Sequence, residues 1–203
     1  KRDNHENIAA FSLGMISCWG IHHLDIAQWG NAADATGPRL IKGTGTFAKE
    51  GDHDAIQTWR VQYEYEQGAP MTFVHANTPG FKQGINFVGE SASVHVTRGV
   101  ITASDENILR DPQNKYDTMP ITLPISTSHT RNFLDAIKQK GRPICDVETA
   151  LRSDTLCQLG LIAVKRGRNL KWDPRAERFT NDDAANAMLQ PRAFRGGWKL
   201  PVV

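Results

Sequence analysis

The chain has 203 residues, of which 39% are hydrophobic and 23% charged, and its formal net charge is +2. This length and composition suit a globular chain with one substantial core. The small net charge gives no general attraction to nucleic acid or to an anionic membrane, and no stretch approaches the roughly 18 apolar residues of a membrane span.

The three cysteines, Cys18, Cys145 and Cys157, are widely spaced and form no CxxC pair. This pattern predicts neither a disulfide framework nor a zinc site, and reduced thiols fit it best. Residues 1–7 are polar, which argues against a retained signal peptide. We therefore expect a cytoplasmic protein, while a periplasmic or exported parent stays open because a signal ahead of residue 1 would not be visible.

The first predicted element is a helix over residues 14–29 (GMISCWGIHHLDIAQW). At about 100° per residue, four side chains fall within roughly 60° of one another and form a polar and aromatic stripe: Cys18, His22, Asp25 and Trp29. Apolar residues flank this stripe on both sides, so we expect a largely buried helix whose stripe faces a cleft. Gly20 costs a helix interior about 1 kcal/mol relative to alanine, which predicts that backbone or ligand approaches closely there.

Six short runs with alternating apolar residues follow a turn-rich link and predict strands: 39–47, 57–65, 71–77, 85–89, 93–96 and 100–103. In the second run Trp59, Val61 and Tyr63 share one face, which is typical of a sheet that packs on one side. Residues 67–70 are the predicted hairpin turn after it. Together the runs predict a meander-like sheet.

From residue 126 onwards the apolar period becomes helical, with Phe133 and Ile137 four apart and a seven-residue repeat at 150, 157 and 164. Asp146 is the predicted N-cap of the second of these helices, and residues 180–183 resemble a capping box that opens a short third helix. The predicted fold class is therefore α+β, an open, mostly antiparallel sheet with helices on one face. We expect a single domain over 1–203, with 167–203 as a C-terminal extension.

A dinucleotide site would need a glycine-rich turn between a strand and a helix. Residues 43–48 fit the pattern G-x-G-x-x-A, but residues 49–54 show no helical period and contain a glycine. Because the required context fails, this stretch is interpreted as strand and loop. The sequence predicts no nucleotide-binding domain in this chain.

Residues 18–25 (CWGIHHLD) resemble the motif D-x-G-x-H-x-x-D that opens the second domain of the Gfo/Idh/MocA oxidoreductases, the family of glucose–fructose oxidoreductase and inositol dehydrogenase. Residues 129–137 and 141–148 are similar to the helix, Gly-x-Pro turn and acidic helix start near the carboxyl end of such proteins. Residues 170–179 and 198–201 resemble a sugar-directed subgroup. The likeness therefore spans most of the chain.

The resemblance implies a C-terminal domain like that of dihydrodipicolinate reductase. It implies that the Rossmann domain is missing here, together with a lysine commonly assigned to proton transfer. In such enzymes NAD or NADP binds mainly to that domain, while the second domain supplies the motif histidine, most of a sugar or polyol pocket, and a sheet face that pairs subunits. We expect no cofactor in this chain, no activity without the missing half, and a homo-oligomer.

His22 aligns with the catalytic histidine of the family, and histidine suits a base that works near neutral pH. Cys18 stands where the family usually has aspartate. A thiol is mostly neutral at pH 7 and cannot accept hydrogen bonds from two sugar hydroxyls as a carboxylate can. Two interpretations of Cys18 stay open, namely a changed reaction or substrate, and a small residue tolerated at the substrate wall.

Asp25 matches the last acid of the motif and is expected to orient or charge-stabilise the histidine. His23 and Trp19 could line a sugar pocket or serve packing. His75 and Trp59, on predicted strands, are weaker candidates. A metal site is disfavoured because His22 and His23 diverge by about 100° on a helix.

Three functions follow as hypotheses. The first is the substrate-binding and oligomerisation domain of an NAD(P)-dependent oxidoreductase acting on a sugar, polyol or derivative. The second is a domain of an NAD-dependent glycoside hydrolase or lyase of the same superfamily, for which the change at Cys18 leaves room. The third is a non-catalytic assembly module. None of them involves nucleic acid or a membrane.

Overall fold

The computed structural model describes residues 5–109, 124–190, 194 and 196–199. Its strands are β1 (Leu40–Phe47), β2 (Ile56–Glu64), β3 (Met71–Val74), β4 (Ile85–Val88), β5 (Ser93–Thr97), β6 (Val100–Ala103), β7 (Leu170–Asp173) and β8 (Arg178–Phe179). Its α-helices are α1 (Met15–Cys18), α2 (Gly20–Gly30), α3 (His129–Gln139), α4 (Val147–Arg166) and α5 (Asp183–Ala187). The α+β class and the antiparallel pairing are confirmed.

The strands form two sheets, one of five strands in the order β3-β2-β1-β7-β8 and one of three in the order β4-β5-β6. All six predicted strands exist, but the prediction of one meander is wrong. The chain leaves the larger sheet after β3 through residues 75–84, where Pro79 interrupts backbone donors and Gly80 and Gly84 take positive φ values of 82° and 125°. The second hairpin pair therefore starts a new sheet.

The core lies between the five-stranded sheet and α4. Trp59, Val61 and Tyr63 of β2 are buried on this side, as the alternation predicts. The Tyr63 hydroxyl donates a 2.8 Å hydrogen bond to the Leu156 carbonyl of α4, and burial raises the pKa of Tyr63. The opposite face of β2 is exposed, so the helices cover one face of this sheet.

The segment after α4 adds β7 to the edge of β1 and places Leu170, Trp172 and Phe179 in the core. Residues 170–187, within the predicted C-terminal extension, thus belong to the sheet and its core. The short helix α5 exists, but its N-cap is Asp182, whose carboxylate accepts a 2.8 Å hydrogen bond from the Ala185 amide. The capping box assigned to residues 180–183 therefore began two residues too early.

The glycine-rich stretch 43–48 lies in β1 and the loop after it, as interpreted from the sequence. A Cβ on Gly43 would come within 2.8 Å of the Val164 amide nitrogen, because α4 crosses the strand closely at this point. A side chain on Gly45 would meet the Thr58 carbonyl oxygen of β2. These glycines serve helix–sheet packing and do not cradle phosphate, so this stretch does not fit a dinucleotide.

Candidate functional site

The segment that carries the motif is two helices and not one. The break falls at Trp19, whose backbone has φ −108°. After it the His22 amide donates to the Trp19 carbonyl, three residues earlier, and so forms a tighter turn than that of an α-helix. The prediction of one continuous helix is therefore wrong. A close approach does occur at Gly20, but the approaching group is the side chain of Phe73 and neither backbone nor ligand, since a Cβ there would lie 2.7 Å from the Phe73 ring carbon Cζ.

Helix α2 is fixed by its buried side. Leu24 is 2% exposed, and Gln28, fully buried, donates to the Ala33 carbonyl at 3.1 Å and accepts from the Tyr65 hydroxyl at 2.7 Å. The Asn31 side chain exchanges two hydrogen bonds with the backbone of Ala69 in the β2–β3 turn. These contacts hold α2 against the larger sheet and turn its other face outward.

The outward face of α2 forms one wall of a cavity of about 570 Å³. Six residues of α2 line it: Ile21, His22, His23, Asp25, Ile26 and Trp29. The facing wall combines Ile85 of β4, residues 97–99 of the β5–β6 turn, Cys145, and Ala150 and Ser153 of α4. The smaller sheet reaches this position because Phe87 packs directly on the backbone of Gly30.

The structure thus brings three of the predicted site residues together in the cavity wall, namely His22, His23 and Asp25. Cys18 and Trp19 lie outside the lining, and Cys18 is on the other side of the helix break from His22. The Cys18 thiol is exposed, with its Sγ 3.6 Å from the Ser12 hydroxyl.

The two strand candidates also lie elsewhere. The Trp59 and His75 rings pack edge to face at 5.0 Å, with Trp59 in the core between the sheet and the helices.

Asp25 defines the acidic end of the cavity. Its Oδ1 accepts a 2.7 Å hydrogen bond from the hydroxyl of Ser153, which is 1% exposed. Burial and, after it, the charge of Asp25 raise the pKa of the neighbouring Asp34 and of the Cys145 thiol. Asp25, Cys145 and Ser153 all line the cavity.

Arg98 defines the cationic end. Its guanidinium carbon lies 5.5 Å from the centre of the Trp19 ring, and the same indole meets the His22 ring edge to face at 6.0 Å. The pKa of His23 is lowered chiefly by partial burial. The charges of Arg98 and, to a smaller extent, of His22 lower it further. The His23 imidazole is therefore favoured in its neutral form, which can both donate and accept a hydrogen bond.

Sequence reasoning missed Ser153, Arg98 and Cys145 of this site. Ser153 falls seven residues after the N-cap Asp146 and so on the same side of α4, which was a weak available signal. For Arg98 the sequence offers only a turn signal at Gly99. Over the described ranges, no cluster of three or more potential ligands could hold a metal ion, and no helix is long and apolar enough to cross a membrane.

Comparison with known proteins gives a consistent result. The profile of an oxidoreductase family, C-terminal alpha/beta domain, in the Gfo/Idh/MocA group, matches residues 9–200. No curated protein sequence matches the chain at a significant level.

Among solved structures, an NAD-binding protein from Listeria innocua matches with a TM-score of 0.58 and 16% identity, covering 82% of this chain and 53% of its own. A Desulfitobacterium hafniense protein named as an NADPH-dependent oxidoreductase matches with a TM-score of 0.55 and 15% identity, covering 83% and 51%. GenD2 from gentamicin A biosynthesis, solved in complex with NAD, matches with a TM-score of 0.51 and 12% identity, covering 84% and 51%. The chain spans about half the length of these proteins.

Proposed function

Because this chain belongs to the Gfo/Idh/MocA oxidoreductase family and corresponds to its C-terminal alpha/beta domain, we propose that it binds the substrate of an NAD(P)-dependent oxidoreductase that acts on a sugar, a polyol or a derivative. The observation that carries this proposal is the position of His22. Its imidazole is exposed on a cavity wall that also contains His23 and Asp25. A proton acceptor, a second imidazole and a carboxylate suit a polyhydroxylated molecule.

In this proposal the chain's own part in the reaction is proton transfer. Oxidation of a secondary alcohol releases a hydride and a proton, and nicotinamide supplies the hydride acceptor when the dinucleotide is bound. His22 takes the hydroxyl proton on an imidazole nitrogen. The Asp25 carboxylate, held in place by Ser153, favours the imidazolium that results. The ring of Trp29 on the same wall offers an apolar face to the carbon side of the substrate.

We place the dinucleotide on a further domain that docks beside the cavity. Apolar side chains are exposed on two neighbouring elements, with Phe133 and Ile137 of α3 at 56% and 59% and Val147 of α4 at 84%. Exposed apolar surface of this kind marks an interface. The same first turns of α4 carry Ala150 and Ser153 of the cavity wall, so a domain on this surface would border the substrate. Inactivity of the isolated chain is the consequence.

The proposal includes pairing of subunits through the open face of the larger sheet. The exposed side chains of β2 on this face, Arg60, Gln62 and Glu64, alternate with the buried ones, and no helix of the described ranges packs against them. A second copy of the chain would cover this face in an isologous dimer, as subunits commonly do.

The hydrolase or lyase alternative comes from the same superfamily resemblance, and the change at Cys18 left room for it. Cys18 does not line the cavity, so this change gives the alternative no support from the site. The third possibility, an assembly module, does not account for two histidines and a hydrogen-bonded carboxylate in one cavity wall. We therefore favour the dehydrogenase-type function.

The test is a steady-state assay of the enzyme in which this chain follows a nucleotide-binding domain. Polyols should reduce the cofactor, and the substitution His22→Asn should lower kcat by about 10²- to 10⁴-fold, the usual contribution of a general base. His53→Asn, in the exposed β1–β2 loop, is the matched control and should leave kcat unchanged. Equal activity of the two variants would overturn the role of His22.

Conversion of glycosides without cofactor reduction by polyols would favour the hydrolase. Tight binding of NAD(H) by residues 1–203 alone, measured by calorimetry, would refute the assignment of the cofactor to another domain.

A further inference from the structure

We propose that the substrate of this site carries an anionic oxygen group, a carboxylate or a phosphate, and that Arg98 binds it. This inference rests on the proposed function and names the class of polyhydroxylated molecule that the cavity takes.

The first observation is the position of Arg98. It lies in the tight turn between β5 and β6, and with its neighbours Thr97 and Gly99 it forms part of the cavity wall. The turn reverses the chain at Gly99, which has a positive φ of 74°. The smaller sheet therefore contributes Arg98 to the cavity wall through this turn.

The second observation is the surroundings of the guanidinium. It stacks over the Trp19 ring at 5.5 Å, and no carboxylate of the described residues lies within ion-pair distance of it. Other arginines of the chain do form ion pairs, as Arg152 does with Glu148 at 2.7 Å. An arginine held on an aromatic face, with no side-chain hydrogen bond or ion pair to the described residues, is suited to bidentate binding of carboxylate or phosphate.

The third observation is the separation of charge along the cavity. The carboxylate of Asp25 is on the α2 wall and is hydrogen-bonded to Ser153 of α4. Arg98 lines the cavity from the β5–β6 turn, with its guanidinium over the Trp19 ring. A molecule with an anionic group at Arg98 and hydroxyl groups near His22 and Asp25 would match both ends, whereas the reverse orientation would place two negative charges together.

Trp19 gains an indirect role from this arrangement. Its indole lies outside the cavity lining but contacts both the guanidinium of Arg98 and the ring of His22. It is a positioning residue in this proposal, because it fixes the anion-binding group relative to the imidazole that takes the proton.

The test compares three molecules of matched carbon skeleton, namely sorbitol, gluconate and sorbitol 6-phosphate, in titrations of the 203-residue chain followed by calorimetry and histidine NMR signals. At low ionic strength we expect gluconate or sorbitol 6-phosphate to bind about tenfold or more tightly than sorbitol, as a charge-assisted bidentate contact provides. Arg98→Gln should reduce that ratio to about one. Preference for one of the two anions identifies whether the group is a carboxylate or a phosphate.

Arg60→Gln is the matched control, because Arg60 also stacks on an aromatic ring, that of Phe81 at 5.3 Å, but lies away from the cavity. Its anion preference should equal that of the unaltered chain. As a second measurement that needs no variant, added salt should weaken binding of the anions and not that of sorbitol.

The proposal would be overturned if the anions bind no more tightly than sorbitol, or if Arg98→Gln and Arg60→Gln lose the same amount of anion preference. Binding of sorbitol in either case would leave the proposed function standing. Failure of all three molecules to bind would overturn both.

Discussion

The hydroxyl of Ser153 donates a 2.7 Å hydrogen bond to the carboxylate of Asp25, 128 residues earlier in the chain. This bond joins α4 to α2 where both helices line the cavity. Because Ser153 is buried and its partner is a carboxylate, the bond both stabilises the helix pair and fixes the direction in which the Asp25 charge acts. The site is thus tied to the core of the fold.

Replacing Ser153 by alanine should therefore lower the free energy of unfolding by about 1.5–3 kcal/mol, the range for a hydrogen bond to a charged group. Urea unfolding followed by tryptophan fluorescence, to which the buried Trp59 and Trp172 contribute, measures this. Thr155→Ala on the same helix is the control. Among the described residues its hydroxyl bonds to the Leu151 carbonyl within α4, so its effect should stay within about 0.5 kcal/mol. Equal losses in the two variants would show that the Ser153 bond has no special weight.

Gly20→Ala should destabilise the protein although alanine favours a helix by about 1 kcal/mol. The added methyl would lie 2.7 Å from Cζ of Phe73, a ring that is 9% exposed in the core. Overpacking of this kind costs typically about 1–3 kcal/mol, so we expect a net loss in thermal unfolding experiments. In a Phe73→Leu background the same substitution should be neutral or stabilising. A loss of the same size in both backgrounds would contradict the close-contact explanation.

These residues also show what the sequence could and could not predict. The alternation in β2, the N-cap at Asp146 and the need for space at Gly20 are local patterns, and the structure confirms each. The identity of the ring at Gly20, the bond from Ser153 and the approach of Arg98 depend on contacts between elements 53 or more residues apart in sequence. Nothing in a single sequence specifies such distant pairs.

The helix break has the same explanation. Propensity and periodicity favour a continuous helix over residues 14–29. In the structure the helix is interrupted at Trp19, and the Phe73 ring packs on Gly20 directly after the interruption. Cys18 lies before the break and outside the cavity lining, whereas His22 lies after the break and within the lining. A motif match by position alone could not show this difference.

Acid should weaken the cap of α5. The Ala185 amide bond first, and the Arg166 guanidinium at 3.1 Å after it, hold the pKa of Asp182 below its usual range. The stabilisation by its charge is therefore fully present above the pKa of the unfolded chain, about 3.9, and is lost as the pH falls through the lower folded value. Asp182→Asn keeps a capping oxygen without the charge, so it should be less stable than the unaltered chain at neutral pH and should approach it in acid.

Urea midpoints measured from pH 7 down to pH 2 test this, with Asp183→Asn at the adjacent exposed position as the control. A difference between the Asp182 variant and the unaltered chain that stays constant with pH would rule out a contribution from the charge.

Self-association should respond to charge on the open face of the larger sheet. Thr58 and Gln62 are exposed on β2, so substitution of both by glutamate adds two negative charges without disturbing the core. In an isologous dimer each added charge would occur twice across the interface, and repulsion should raise the dissociation constant in sedimentation experiments. Gln83→Glu together with Gln139→Glu adds the same two charges at exposed positions outside the larger sheet and serves as the control. An unchanged association constant would place any interface elsewhere.

The most direct test of the central claim is to observe the imidazoles themselves. Titration of the chain with a polyol such as inositol, followed by NMR of histidines labelled with ¹⁵N, should shift the signals of His22 and His23, which line the cavity, and leave His53 and His129 unchanged. Saturating shifts confined to the first pair would support a sugar or polyol site at this cavity. Signals of His22 and His23 that stay unmoved up to the solubility limit of every polyol tried would contradict it.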